Sequence, residues 1–299
     1  MLLYIRFNNF YSFAEQAELS FKVGKQAAPS LYDIHLKTAQ DELRLNKVAA
    51  VLGANGSGKT QLLKVIPFIS WFIVHSARTL SVDDEIYFEA FTTKENQSSN
   101  FEVGFTLKNE QGIDEEFRYE VTMTSKNVQR EALYQKTSRS FSYIFERTHQ
   151  DELKNYKHRS FLAPALADDV NDNVSLLAYA FLLDNPIAVR VIQFFSQMTF
   201  NLHTAGRRES SDADLYRMAE LFSKRASLKQ QAEQLLCQFD TGISKINFAP
   251  VIMVDENKKQ KEVLMPMGVH QHDGESLEFL FTDESNGTRS AFILLGMIL

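Results

Sequence analysis

The pattern of apolar and polar positions predicts strands at both ends of the chain and helices in its middle. Residues 2–7 and 17–21 are two short apolar runs joined by a polar turn, an arrangement typical of a β-hairpin. Alternation of apolar and polar residues recurs beyond residue 100. It predicts one antiparallel sheet built from residues 101–107, 117–123, 128–133 and 141–145.

Helical patterns follow in two places. Residues 61–74 are apolar and lack turn residues apart from Pro67, which predicts a helix that bends there. Between residues 162 and 239 the spacing again favours helices, over 176–183, 189–200 and 218–239, with a polar loop at 205–212. The last sixty residues return to strands and end in an apolar helix, predicted at 246–254, 263–269, 277–281 and 289–299.

This order of elements predicts three segments. Residues 1–160 would form the first part of an α/β core with an antiparallel β lobe, residues 161–240 a helical insertion, and residues 241–299 the second part of the core. The pattern shows no internal repeat and no long heptad coiled coil.

Composition narrows the class of protein. The 299 residues are 44% hydrophobic and carry 32 Lys and Arg against 38 Asp and Glu, a net charge of -6, which disfavours a protein built mainly to hold nucleic acid. The single cysteine, Cys237, cannot form an intrachain disulfide, and we expect it to be a small buried side chain. The longest apolar run, residues 65–74, is shorter than a membrane span. We therefore expect a soluble, cytoplasmic protein with no membrane partner.

The most specific motif is a glycine-rich loop. Residues 48–52 form an apolar run, predicted as a strand, that leads directly into Gly53-Ala54-Asn55-Gly56-Ser57-Gly58-Lys59-Thr60. Backbone N–H groups at a helix start solvate phosphates, and glycines let the phosphates approach the backbone. Lys59 would reach the β- and γ-phosphates, and the Thr60 hydroxyl would bind Mg²⁺. The loop therefore predicts a P-loop NTPase that binds ATP and Mg²⁺.

Asn55 and an upstream turn point to one group of such proteins. The pattern G-x-N-G-x-G-K-[ST] resembles the heads of ABC-type ATPases, which include the SMC, RecF and OLD-nuclease ATPases. The turn Asn8-Asn9-Phe10-Tyr11-Ser12-Phe13 is similar to the N-F-x-S-F opening of these proteins. The resemblance implies an ABC-type ATPase head in which a mixed sheet carries the phosphate loop beside an antiparallel β lobe and a helical insertion.

A second motif lies near the end of the chain. Glu284-Ser285-Asn286-Gly287-Thr288-Arg289 resembles the E-S-x-G-T-[KR] signature of the same group. The resemblance implies that Ser285, Asn286, Gly287 and Thr288 complete the nucleotide site of a facing subunit in a homodimer or larger homo-oligomer. The plainer alternative is a helix N-cap without a ligand.

The carboxylates needed for hydrolysis are harder to assign. In the resembling family a strand ending in Asp-Glu follows the signature helix and supplies the Mg²⁺-binding aspartate and the general base. Residues 251–256 fit this pattern but come before the signature, and the lysine-rich run after them favours a hairpin turn. Because residues 291–299 are apolar to the last position, we expect either a fragment whose general base lies beyond Leu299 or a helix completed by another polypeptide. Whether this chain hydrolyses ATP alone is left open.

Three further features are weaker. His270 and His272 could face a metal together, but without a third ligand nearby we expect a solvated turn over 270–273. Arg207-Arg208 could meet a phosphate or an acidic partner, although an exposed loop is the default interpretation. Asp240-Thr241-Gly242-Ile243 resembles a turn found before the final sheet in defence-type AAA ATPases.

The resemblance also implies partners. It extends to the ATPase components of bacterial anti-phage systems such as PARIS, Septu and retron-linked operons. These imply a nucleotide-controlled dimer that holds an effector protein such as a nuclease. The alternative is a DNA-repair head of the RecF or SMC kind that grips duplex DNA directly, and the acidic balance and the missing coiled coil count against it.

Overall fold

The computed structural model describes residues 1–24, 26–150, 153–207, 211–239, 241–254, 260–272 and 274–299. The chain forms two compact units, Met1–Arg207 and Arg208–Leu299. Both contain helices and strands, so the protein is α/β as predicted. The segment 161–240, expected to be one helical insertion, is divided between the two units.

A seven-stranded antiparallel sheet forms the base of the first unit. The strands of this unit up to residue 158 are β1 (Leu2–Asn8), β2 (Ala17–Ser20), β3 (Asp33–Lys37), β4 (Glu42–Asn46), β5 (Ser99–Lys108), β6 (Asp114–Met123), β7 (Val128–Lys136), β8 (Phe141–Gln150) and β9 (Leu153–His158). The large sheet has the order β2-β1-β5-β6-β7-β8-β9, and β3 and β4 form a separate hairpin. The predicted antiparallel sheet is confirmed, whereas β3, β4 and β9 were not predicted.

Helices cover one face of this sheet. They are α1 (Lys59–Thr79), α2 (Pro164–Asp168), α3 (Leu176–Leu182) and α4 (Pro186–Ser196), followed by the short pair β10 (Leu202–His203) and β11 (Gly206–Arg207). The alternating residues of β5 and β6 point into the core beneath them, where Phe105 pairs with Phe117 across the strands and the two rings stack at 5.7 Å. Phe68 and Phe72 of α1 are fully buried in the same core.

A buried carboxylate joins α3 to the sheet. Glu131 on β7 is 0% exposed and accepts hydrogen bonds from the Tyr119 hydroxyl, the Ser175 hydroxyl and the Leu176 amide, each at 2.8 Å. Arg147 on β8 forms an ion pair with it at 2.6 Å. Burial raises the pKa of Tyr119 well above its usual value. The network therefore satisfies the carboxylate and fixes the N-terminus of α3.

The apolar run before the glycine loop is not a strand, which corrects the prediction for residues 48–52. Its backbone makes no hydrogen bond to any described residue, and Val48 and Leu52 are 70% and 90% exposed. A strand requires hydrogen bonds to a neighbour, and the described part of the chain places none beside this run. The four sheets of the described residues are antiparallel, so the expected mixed sheet carrying the phosphate loop is not among them.

Among the described residues, no single helix is long and apolar enough to cross a membrane. Helices α3 and α4 reach that length and apolar character only when they are taken together, and the chain bends by 110° between them. Both helices contribute buried side chains to the core under the large sheet.

The second unit packs helices against a three-stranded antiparallel sheet. Its elements are α5 (Asp212–Lys224), α6 (Ala226–Gln238), β12 (Ile243–Val254), β13 (Gln260–His272), β14 (Glu275–Leu280) and α7 (Asn286–Ile298). The run predicted as one helix over 218–239 breaks at Arg225, which leaves the helical region with φ -130°. Cys237 is exposed rather than buried, because it lies on a different face of α6 from the buried Ala232 and Leu236.

The strands β12 and β13 form the predicted hairpin. They pair antiparallel from Lys245 opposite Val269 to Val254 opposite Gln260. Residues 251–254, the apolar part of the predicted Asp-Glu pattern, thus belong to one strand of a hairpin. Asp255 and Glu256 lie outside the described residues. The pairing of β12 with β13 favours a hairpin over a strand that ends at a nucleotide site.

Candidate functional site: a phosphate loop and a helix-capping motif

The glycine loop adopts the conformation that its sequence predicts. Gly56 and Gly58 have φ values of 77° and 85°, in the left-handed region that side chains disfavour. Helix α1 begins immediately after them at Lys59. The loop therefore turns sharply into the helix.

Contacts inside the loop hold it in a compact curve. The Ser57 amide donates to the Ala54 carbonyl at 3.3 Å, and a Cβ at Gly53 would lie 2.7 Å from the Ser57 hydroxyl oxygen. The Lys59 ammonium donates to the carbonyls of Gly53 at 2.9 Å and Ala54 at 2.6 Å. The Lys59 side chain thus folds back over the loop, and its ammonium contacts the first two residues of the loop.

The start of α1 leaves hydrogen-bond donors open. Gly58 caps the helix without a side-chain acceptor, and the first helical bond runs from Leu62 to the Gly58 carbonyl. No described residue accepts from the amides of Lys59, Thr60 or Gln61. These N–H groups lie at the positive end of the helix dipole, where anions are stabilised.

This donor set fits a nucleotide triphosphate with Mg²⁺. The open amides and the Lys59 ammonium would hold the phosphates, and the exposed Thr60 hydroxyl would ligate the cation. Bound Mg²⁺ would supply electrostatic stabilisation of phosphate charge. The residues that bind the metal remain predictions, and the described residues contain no cluster of three or more His, Cys, Asp or Glu that could hold one.

The upstream turn forms a wall of the phosphate loop, a contact that the sequence did not reveal. A Cβ at Gly58 would lie 3.0 Å from the Ser12 hydroxyl oxygen and 3.4 Å from the Phe13 ring. Asn9 fixes this turn, because its side-chain amide donates to the Lys94 and Gln97 carbonyls at 3.0 and 2.9 Å. The resemblance of residues 8–13 to the N-F-x-S-F pattern singled out the turn but did not place it beside the loop.

Tyr11 connects the turn to two other elements. The Lys64 ammonium lies 4.2 Å from the centroid of its ring, and its hydroxyl donates to the Thr204 carbonyl at 2.9 Å. Its backbone has a φ of 48°, which is unusual for a bulky residue. Burial raises the pKa of Tyr11 to about 12.

The second motif opens a helix, as predicted. Ser285 caps α7, with its hydroxyl oxygen accepting from the Thr288 amide at 3.1 Å and lying 2.9 Å from the Thr288 hydroxyl. Ser285, Asn286 and Gly287 are exposed, whereas Thr288 is buried. The phosphate loop belongs to the first unit and this motif to the second.

The remaining candidates have other surroundings. His270 and His272 lie on β13 opposite β14, not on the expected solvated turn, because strand pairing continues to His272. Arg207 ends β11, while Arg208 and Asp273 lie outside the described residues.

Comparison with known families decides the broader class. The sequence profile of a family described as "AAA domain, putative AbiEii toxin, Type IV TA system" matches residues 48–299. The chain belongs to this family. The matched region of the AAA domain contains the phosphate loop, most of the large sheet and the Ser285 motif.

Membership makes the protein an AAA-type P-loop ATPase, with an α/β fold that carries a large antiparallel sheet. ATP and Mg²⁺ are the ligands that such ATPases generally use. A search of curated proteins found no match to this AAA domain.

Proposed function

We propose that this AAA domain is an ABC-type ATPase head that binds Mg²⁺-ATP at the phosphate loop. The observation that carries the proposal is the conformation of residues 53–60. Left-handed Gly56 and Gly58 lead into uncapped amides of α1, and the Lys59 ammonium sits over the loop carbonyls. Each of these features concentrates positive potential where phosphates would bind.

A second copy would close the site. Ser285 and Gly287 are exposed at the N-terminus of a 13-residue helix, where a hydroxyl and free amides favour an anion. In the proposed dimer they meet the γ-phosphate held by Lys59 and Thr60 of the other chain. Nucleotide occupancy would then control the association of two chains.

The catalytic carboxylates are proposed to come from a strand that pairs with residues 48–52. This run is apolar, exposed and without backbone hydrogen bonds to the described residues, so pairing would bury Val48 and Leu52. The competing source, residues 251–256, belongs to the arm formed by β12 and β13 as far as it is described.

Control of an effector protein in anti-phage defence is the proposed output. The family description names a toxin of a type IV toxin–antitoxin system, which supports a defence setting. The motifs at residues 53–60 and 284–289 also resemble those of ATPases in anti-phage systems. A DNA-gripping head of the RecF or SMC kind is the alternative. The net charge of -6 does not favour this alternative, because a negatively charged protein repels the DNA phosphates overall.

ATP turnover and ATP binding, measured side by side, test the enzymatic part. Lys59→Ala should abolish nucleotide binding, because it removes the cation at the loop. Asp255→Ala should leave both binding and any turnover unchanged, since the hairpin interpretation gives Asp255 no catalytic role. Turnover lost in Asp255→Ala with binding and folding intact would show that residues 251–256 are the catalytic strand after all.

A further inference from the structure

Glu284, the first residue of the signature motif, packs into a small recess on the three-stranded sheet. Glu284 places its Oε1 atom 2.6 Å from Nε2 of His270 on β13. A Cβ at Gly268, two residues earlier on the same face, would lie 3.0 Å from that same oxygen. The Glu284 side chain is only 11% exposed. The carboxylate therefore fills the space that the missing side chain of Gly268 leaves.

The imidazole of His270 is fixed from its other side. Gly242 has a φ of 75°, and a Cβ there would lie 3.0 Å from Nδ1 of His270. The Thr241 hydroxyl donates to the Leu236 carbonyl at 2.9 Å, which ties this turn to the end of α6. Phe279 contacts the imidazole edge to face at 5.4 Å. The Thr241-Gly242 turn thus meets the signature motif through one histidine.

The contact is chemically specific. With Glu284 ionised, a separation of 2.6 Å requires a proton on Nε2 of His270, so the pair is a charge-assisted hydrogen bond. Glu284 directly precedes Ser285, the cap of α7. The other anchor of this turn is Phe281, which is fully buried and packs on Phe292 of α7 at 4.4 Å.

From this arrangement we infer that His270 and Glu284 are positioning residues for the signature motif. The N-cap of Ser285 sets only the local shape of the helix start, whereas the recess sets where that start sits on the sheet. Without the His270 contact, Ser285 and Gly287 would lose the placement needed to meet a phosphate on a second chain. The inference rests on the proposed function, in which these two residues close the site of the other chain.

Self-association of the full chain tests this inference. Analytical ultracentrifugation with Mg²⁺ and the non-hydrolysable analogue adenylyl imidodiphosphate measures association. A fluorescent ATP analogue, used at protein concentrations below association, measures nucleotide affinity. The variants are His270→Ala, Glu284→Ala, their double variant, His270→Gln and Ser285→Arg. His35→Ala is the matched control, because it removes an exposed histidine–glutamate contact of 3.2 Å to Glu42.

We expect His270→Ala and Glu284→Ala each to weaken association about tenfold, the effect of one charge-assisted hydrogen bond. Nucleotide affinity of the single chain should not change. The double variant should be no weaker than either single variant, because one contact is lost in all three. His270→Gln should restore most of the association, since its amide can donate from near the position of Nε2.

Two different failures can be told apart. Association like wild type in His270→Ala and Glu284→Ala, with Ser285→Arg unable to associate, would overturn the positioning role alone. A loss in His270→Ala that His270→Gln does not restore would also overturn it, because the damage would then be general. Association like wild type in Ser285→Arg would instead refute the proposed closure by a second chain, and the inference with it.

Discussion

The ammonium of Lys64 lies 4.2 Å from the ring centroid of Tyr11, and it joins the second turn of the phosphate-loop helix to the turn that precedes the loop in the sequence. Lys64 is only 8% exposed, so this cation–π contact is largely shielded from water. The same ring carries a hydroxyl that donates to Thr204. Tyr11 thereby connects the turn at residues 8–13, helix α1 and the segment around Thr204.

This relationship predicts a graded loss of stability. Tyr11→Phe keeps the ring over Lys64 but loses the hydrogen bond to Thr204, which should lower the free energy of unfolding by about 1 kcal/mol. Tyr11→Leu also removes the cation–π contact from a buried lysine, for a total loss of about 2 to 3 kcal/mol. Urea denaturation of both variants measures the difference. Equal losses in the two variants would mean that the ring contact contributes nothing.

The buried carboxylate of Glu131 gives a stronger prediction. Glu131→Ala leaves the Arg147 guanidinium without its buried partner and removes the acceptor of Tyr119 and Ser175. Breaking such a pair costs about 3 to 5 kcal/mol. Glu220→Gln is the control, because its ion pair with Lys224 is exposed and should contribute no more than about 0.5 kcal/mol. Thermal and urea unfolding that shifts equally in both variants would contradict the role assigned to Glu131.

The wall of the phosphate loop predicts a selective effect on nucleotide binding. Gly58→Ala places a methyl group 3.0 Å from the Ser12 hydroxyl oxygen at a φ of 85°, and the strain amounts to about 1 to 3 kcal/mol. We expect a clear loss of ATP affinity in calorimetric titration. Gly24→Ala is the matched control, since a Cβ there has no neighbour within 4 Å. Equal affinity in the two variants would argue against the closeness of the turn to the loop.

The choice between a protein effector and DNA depends on electrostatics. A chain with 32 basic and 38 acidic residues should not retain duplex DNA in a steeply salt-dependent manner. Fluorescence anisotropy with a labelled duplex measures DNA affinity as a function of salt concentration. The titration runs from about 50 to about 200 mM salt, the range over which phosphate contacts are lost. Steep, salt-dependent retention in the presence of ATP would favour the RecF or SMC alternative.

Local patterns account for much of what could be predicted. Alternation in residues 101–107 and 117–123 predicts β5 and β6 because the apolar positions of both strands lie in the core. The phosphate loop could be predicted because glycine adopts the left-handed φ values of Gly56 and Gly58 without the steric cost that a side chain brings. The cap at Ser285 could be predicted because a serine hydroxyl at a helix start accepts a hydrogen bond from a free backbone amide.

Other features depend on contacts that a linear pattern does not contain. Residues 48–52 have the composition of a strand, but strand formation requires a neighbour, and the composition does not show whether one is present. Arg225 breaks a run whose apolar spacing continues on both sides of it. His270 looks like a surface residue until Gly268 and Glu284 are seen beside it. Partners distant in the sequence decide the cases of residues 48–52 and of His270.

The proposal that two chains share each nucleotide can be tested by nucleotide-dependent self-association. The chains compared are wild type, Lys59→Ala and Ser285→Arg, with ATP binding measured on the same samples. We expect Lys59→Ala to lose both binding and association, because the cation of the loop is gone. We expect Ser285→Arg to bind ATP like wild type yet no longer associate. Association of Ser285→Arg equal to wild type would contradict the claim that two chains share each nucleotide, and ATP binding that survives in Lys59→Ala would contradict binding at the phosphate loop.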